Sequence, residues 1–335
     1  MHYHGTIALR MNKPTLVLYQ SPYQSQSLFH STWFRDYINQ RFDITHYDTA
    51  IQYNNNTIFV IGAQQYLNND IRYKFENYRV LVDSTWESNT GKYGNISANH
   101  YDQHLIIFGN KQNIVDRHFI YVPKFFWFNE SLCYLERGYD KYQPRKTYKK
   151  KFLMPIGASR GWREAVIEKL EPFLEDAYWS CLRKGYLLPN TKSAKRVDTR
   201  LLDPCWYDDT FYSIICESAR SWEEAVIFLT EKTYKAIAGH HPFMLMGACG
   251  LLEELKNQGF VTFGNLFDES YDNVQNLEDR LKMLVNNITN FIYEPYTSET
   301  LQRIEHNINR FYSQELVYNL MDKEIYEPIM NWIVR

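Results

Sequence analysis

The sequence lacks most of the signals that announce a chemistry outright. Only 14 of its 335 residues are glycine. No G-x-x-x-x-G-K-[ST] or G-x-G-x-x-G occurs, so a P-loop and a dehydrogenase-type dinucleotide site lose their main support. The five cysteines, Cys133, Cys181, Cys205, Cys216 and Cys249, are scattered and never spaced C-x-x-C. Neither a disulfide framework nor a zinc centre is expected, and a reducing cytoplasm suits such a set. His240 and His241 are adjacent and point in different directions on any regular element, a poor chelating pair that reads as loop or surface residues. No D-x-D stands between apolar runs, so no metal site is expected. There is no 18-residue apolar run and no charged-then-apolar leader, which points to an unexported, soluble chain without a membrane span.

What is present is a chain able to bury a core. Apolar residues make up 44% and aromatic residues 16% of it, far above a disordered composition, and the length suits about two domains. Lys and Arg total 37 against 39 Asp and Glu, a formal charge of −2. That balance excludes a uniformly basic nucleic-acid coat and an acidic tail. It hides an asymmetry: from Lys141 to Arg200 fifteen basic residues stand against six acidic ones, a net of +9, leaving −11 for the remainder. K-Y-Q-P-R-K-T-Y-K-K-K (Lys141 to Lys151) reads as an exposed linker. With T-K-S-A-K-R-V-D-T-R (Thr191 to Arg200) it is either a solvated surface or a positive face for a polyanion.

Short β-branched and apolar runs recur through the first half, at Thr15–Tyr19, Thr57–Gly62, Arg79–Asp83, Leu105–Gly109 and Phe119–Pro123. Such runs suit strands of a parallel sheet buried on both faces. Between the first two, S-T-W-F-R-D-Y-I-N-Q-R-F reads as an amphipathic helix capped by Ser31. After the basic run the pattern restarts, with strands at Lys151–Gly157, Phe211–Glu217 and Pro242–Gly247. Helices are expected at Trp162–Leu174, from Thr230, and at Leu251–Phe260, then almost continuously from Val274 with a break at Glu294-Pro295. The expected architecture is α/β, with two Rossmann-like domains facing a cleft and closed by C-terminal helices. Its divisions are an N-terminal α/β domain at 1–140, a basic linker at 141–150, a C-terminal α/β domain at 151–290, and helices at 291–335 packing back on the N-terminal domain.

The stretch from Phe211 to Phe263 carries most of the chemistry. Thr230 can cap the helix that follows it, which places Glu231 and Lys232 in the first turn. The backbone N–H groups and the positive helix end there favour a phosphate. Lys232 adds a full charge, and Glu231 can accept hydrogen bonds from ribose hydroxyls; alternatively the two are a dipole complement and a surface charge. Arg160 and Arg163 open the helix after the strand F-L-M-P-I-G and are candidates for gripping a diphosphate. In V-L-V-D-S-T-W-E-S, Asp83 ends a strand and Glu87 follows beside Trp86, which makes them candidates for a general base. Each also has an ordinary reading, as a cap or a solvent-facing acid.

The whole segment resembles the donor-binding signature of GT-B glycosyltransferases related to the α1,3-fucosyltransferases. The matching residues are Phe211, Glu217 and Ser218, then Thr230-Glu231-Lys232, then Gly239 and Pro242. It resembles still more closely phage-type glycosyltransferase-like proteins with T-E-K-T-[WFY]-K-x-I, P-F and D-E-S-Y-D, present as Thr230 to Ile237, Pro242-Phe243 and Asp268 to Asp272. The resemblance covers about sixty residues, and Ser218 stands where the fucosyltransferases have Asn. It implies a glycosyltransferase that moves a sugar from a nucleotide-diphosphate sugar to a hydroxyl by inverting, metal-independent transfer, with Mg²⁺ at most stimulatory. Arg160, Arg163, Glu217, Ser218, Thr230, Glu231, Lys232 and Lys235 would bind the donor, and Asp83 or Glu87 would act as base. The phage-type likeness makes a hydroxymethylated DNA base a candidate acceptor, bound through residues 141–200; a lipopolysaccharide or other glycan is the alternative. A binding module that keeps the pocket without turnover is the non-enzymatic reading.

Overall fold

The computed structural model describes residues 13–19, 28–29, 32–54, 57–62, 66, 74–75, 77–84, 103–109, 117–158, 161–190, 202–218 and 227–334. The chain forms two compact units: Met1–Ile107 with Asp116–Ile120 and Tyr326–Arg335, and Phe108–Val115 with Tyr121–Ile325. The expected α/β architecture with two parallel-strand sheets is what the structure shows.

The first unit is built on a six-stranded sheet in the order β2-β1-β3-β4-β5-β6. Its strands are β1 (Thr15–Leu18), β2 (Asp43–His46), β3 (Ile58–Gly62), β4 (Arg79–Ser84), β5 (His104–Phe108) and β6 (Phe119–Tyr121). β1 pairs in parallel with β2 and β3, and β3 with β4. Every residue of β3 and β5 is buried, as strands covered on both faces require. α1 (Arg35–Arg41) buries Tyr37 and Ile38. An aromatic cluster of Tyr19, Tyr47, Phe59, Phe75 and Tyr78, with ring centroids about 5–6 Å apart, fills one side of the core. Such edge-to-face pairs add attraction beyond the area they bury.

The second unit opens with α2 (Phe125–Glu136), in which ten of the twelve residues are buried. Its sheet runs β10-β9-β7-β8, formed by β7 (Lys150–Ile156), β8 (Ala177–Cys181), β9 (Thr210–Cys216) and β10 (Phe243–Met246). All three pairings are parallel. α3 (Trp162–Leu170) follows β7, and Pro172 turns its expected continuation into a 3₁₀ stretch, Glu171–Asp176. α4 (Pro204–Asp208), α5 (Glu231–Ala238) and α6 (Leu251–Asn257) surround the later strands, and Gly259 ends α6 at a φ of +84°. α7 (Leu277–Asn290), α8 (Ser298–Phe311) and α9 (Gln314–Met321) follow. α8 packs on α5, and the Phe311 carbonyl at its end accepts from Ser131 Oγ of α2 at 2.6 Å. The final helix, α10 (Glu327–Ile333), belongs to the first unit, where Arg79 donates to the Ile333 carbonyl.

The basic run departs from its expected role as a linker. It lies within the second unit as a strap along Asp208 and Asp209. The Arg145 amide and the Tyr142 hydroxyl donate to Asp208 Oδ1 at 2.8 and 2.7 Å, and the Thr147 amide donates to the Asp208 carbonyl at 2.8 Å. Lys149 pairs with Asp209 at 3.1 Å and Lys151 with Asp176 at 2.7 Å, while Lys150 donates to the Glu175 carbonyl at 2.6 Å. Two neighbouring aspartates far along the chain thus hold the strap in place.

Candidate functional site

From β7 the chain passes to β8 on one side of the sheet and then to β9 on the other. The crevice between the carboxyl ends of β7 and β9 is therefore the switch point, where open parallel sheets bind ligands. The loop after β7 (Gly157-Ala158), Glu217-Ser218 after β9, and Gly247 after β10 converge there. A Cβ on Gly247 would lie 2.7 Å from Leu251 Cδ1 and 3.2 Å from Glu217 Cβ. Only glycine lets these turns approach so closely.

Glu217 is buried, and its carboxylate is filled from within the chain. Oε1 accepts from the Thr230 amide at 2.9 Å and from Thr233 Oγ1 at 2.6 Å, and Oε2 accepts from the Thr230 hydroxyl. It clamps the start of α5 to the end of β9 instead of facing a ligand. Thr230 has extended backbone angles, and its hydroxyl caps the Lys232 amide, the ordinary arrangement at a helix start. With both ends fixed, the first turn of α5 faces the switch point.

Lys232 and Glu231 are each about one-sixth exposed and form an ion pair at 2.7 Å. The Lys232 ammonium also donates to Ser218 Oγ at 2.8 Å and Thr230 Oγ1 at 3.1 Å, so its three N–H donors all have acceptors. Burial pushes the Glu231 carboxyl up, but Lys232, then Lys235 and its own amide, hold it below the usual glutamate value. A charged carboxylate, a cation, a hydroxyl and the amides of a helix start therefore share one surface. Lys235 is half-buried one turn further along.

Arg163 does not open outward. Its guanidinium is buried and donates to the carbonyls of Ala158 at 3.1 Å, Cys216 at 3.0 Å, and Glu217. Its expected role as a diphosphate ligand gives way to that of a strut joining the two lips of the switch point. Arg160 and Glu87 lie outside the described residues. In the first unit, Asp83 stands at the carboxyl end of β4 as expected; it is buried and accepts from the Phe29 amide at 3.3 Å.

The loop after β10 rests on residues that spacing did not reveal. Arg280 of α7 is fully buried, pairs with Asp272 at 3.0 Å and donates to the Gly247 carbonyl at 2.9 Å. Asp272 in turn accepts from the Leu252 amide at 3.0 Å, and burial raises its carboxyl despite Arg280. Tyr271 accepts from the Leu245 amide at 2.9 Å, covering the edge of β10. The D-E-S-Y-D stretch, a donor-side candidate by resemblance, is in Tyr271 and Asp272 a buttress. In the sequence Arg280 is flanked by Glu278, Asp279 and Lys282 and reads as one more surface charge of an amphipathic helix, so no pattern marked it.

His240 and His241 lie in the turn between α5 and β10, as the loop reading expected, but His241 is not a surface residue. His241 is buried, with Nε2 2.8 Å from the Thr210 carbonyl and Nδ1 2.8 Å from Ser213 Oγ. Since a carbonyl can only accept, Nε2 carries the proton and Ser213 donates to Nδ1. Gly239 earns its place through close approach, because a Cβ there would meet the Tyr207 ring at 2.3 Å.

No protein-family model matches the chain, and no curated protein matches it. Among solved structures it is similar to an α1,3-fucosyltransferase, with 10% identity over 92% of each chain and a TM-score of 0.42. An α1,3-fucosyltransferase with GDP gives 12% identity over 92% of this chain and 93% of the other, at a TM-score of 0.45. One with GDP-fucose gives 11% identity over 91% and 92%, also at 0.45.

Proposed function

We propose that the chain is a glycosyltransferase that takes a nucleotide-diphosphate sugar and transfers the sugar to a hydroxyl. The observation that carries this reading is the cluster of Ser218, Thr230, Glu231 and Lys232 at the carboxyl end of β9, beside the switch point. The motif resemblance supports the same residues. In this reading the Lys232 ammonium and the first amides of α5 hold the diphosphate, and Glu231 accepts from the ribose hydroxyls. Arg160 takes the second cationic role, since Arg163 is committed to backbone carbonyls. Asp83 and Glu87 are the candidates for the base that removes the acceptor proton. The freed oxygen attacks the anomeric carbon, the bond to the diphosphate breaks, and the charge gathering on the leaving oxygen is met by Lys232. The transfer inverts the anomeric centre and needs no metal, so activity should survive EDTA.

A glycan hydroxyl is the favoured acceptor over a DNA base. The lysines that suggested a polyanion surface, Lys149, Lys150 and Lys151, have Asp209, Asp176 and the Glu175 carbonyl of the chain itself beside them, so that face is less positive than the run of lysines implies. Retention of duplex DNA that weakens steeply with salt would reverse that preference.

The test is a panel of nucleotide sugars read by thermal shift, followed by turnover assays. Lys232→Ala and Glu231→Ala should each weaken donor binding by about 1.5–3 kcal/mol, the worth of a charge-assisted hydrogen bond, without unfolding the chain. Unchanged affinity in both variants would discard the site. Binding without turnover on any donor would favour a non-catalytic module.

A further inference from the structure

The second unit holds a cavity of about 610 Å³ that shares no residue with the switch-point site. Its walls come from the strap at Lys146 and Tyr148, the turn at His240, Tyr296, and the face of α8 that carries Leu301 and Ile304. Lys146 and Tyr148 precede β7 and His240 precedes β10. The cavity therefore lies at the amino ends of the strands, whereas Glu217 and Lys232 lie at their carboxyl ends. Its size is that of a small-molecule pocket.

Three features mark it as more than a packing gap. Tyr148 and His240 have φ values of +51° and +55°, and among the described residues only Asn190 is another non-glycine with positive φ. For a tyrosine that conformation is a true outlier, and such strain gathers at ligand sites. His240 Nε2 is enclosed yet has no hydrogen-bond partner. Lys146 Nζ donates to the Tyr207 carbonyl at 2.7 Å and lies 5.7 Å from the Tyr296 ring centre, which leaves donor capacity toward the cavity. Opposite these polar atoms the wall is apolar, and Leu301 is about half exposed.

The geometry points to a binding site for a small monocarboxylate with an apolar body, its carboxylate between Lys146 Nζ and His240 Nε2 and its hydrocarbon against Leu301 and Ile304. Asp208 and Glu305 face the same region, so a second negative charge on the ligand would be repelled. Burial pushes the Lys146 amine down to about 7, against the pull of Asp208. Burial also lowers His240 to about 4 and raises Tyr148 and Tyr296. Of the lysine, histidine and tyrosines, Lys146 is thus the group that changes charge near neutrality. An arriving carboxylate draws a proton onto it, and affinity falls as pH rises above about 7.

The experiment titrates the full chain with benzoate and octanoate beside benzyl alcohol and octanol, by thermal shift and calorimetry. The carboxylates should stabilise the protein and the alcohols should not. Affinity should drop above neutral pH, and Lys146→Met should weaken it roughly tenfold or more. Leu301→Trp, at a half-exposed position of the wall, should block binding and serves even where Lys146→Met fails to fold. Binding of GDP and UDP, measured alongside, should be the same in native and variant chains, so this site and the nucleotide site are read separately. No stabilisation by either carboxylate, or binding unchanged in Lys146→Met or Leu301→Trp, overturns the proposal.

Discussion

Glu217 and Lys232 are near neighbours at the switch point, yet their substitutions should be felt differently, in stability for the first and in donor binding for the second. Glu217→Ala leaves the Thr230 amide and the two threonine hydroxyls without their acceptor. Each buried unsatisfied group costs about 1–3 kcal/mol, so urea unfolding should show a loss of roughly 3 kcal/mol or more, and a smaller one for Glu217→Gln. Lys232→Ala leaves its acceptors Glu231, Ser218 and Thr230 at a site still open in part to water, and its cost to stability should be smaller than that of Glu217→Ala. The same scale governs the acid response. Burial, and then Lys146, hold His240 at about 4, and His241 is also held well below its ordinary value, chiefly by burial. The unfolded chain binds protons near pH 6.5 that the folded chain refuses, so stability falls as pH drops from about 6.5 toward about 4. His240→Asn keeps a residue tolerant of positive φ and should make that acid limb shallower in denaturation midpoints measured across pH. An unchanged limb would contradict the assignment.

Among the elements, the strands that form apolar runs were legible, the edge strands β6 and β10 included, and the edge strands β2 and β8 were not. β3, β9 and β10 are buried along their whole lengths, so they read as unbroken apolar runs. β2 (D-I-T-H) lies at a sheet edge with no buried residue, and β8 (A-Y-W-S-C) is an edge strand with two half-buried residues. A search for apolar runs passes over both. α2 escaped for the converse reason: its buried residues fall on every face, so no polar stripe gives it a helical period. The brace between α7 and the loop after β10 can be tested directly. Arg280→Met leaves the Asp272 carboxylate buried without its cation and should cost about 3–5 kcal/mol. Arg280→Met with Asp272→Asn should recover much of that loss, as thermal unfolding would show.

For the whole molecule, the chain divides into two units, and the basic run does not stand between them. Lys141 to Lys151 lies inside the second unit, because Asp208 and Asp209, some sixty residues away, supply acceptors that no local reading pairs with it. Alanine at Lys149, Lys150 and Lys151 together should leave nucleotide affinity as it is and cost only the small worth of exposed pairs. A loss of nucleotide binding in that variant would place the strap in the donor site. The sequence by itself determined what depends on near neighbours: the parallel strands of each core, the Thr230 cap, and the T-E-K turn at the start of its helix. Tertiary structure alone decided which polar groups face inward. Glu217, Arg163, Asp272 and Arg280 read as charged residues in the sequence. Each is buried because a partner distant in the chain, whether threonine, carbonyl or opposite charge, replaces the water it gives up.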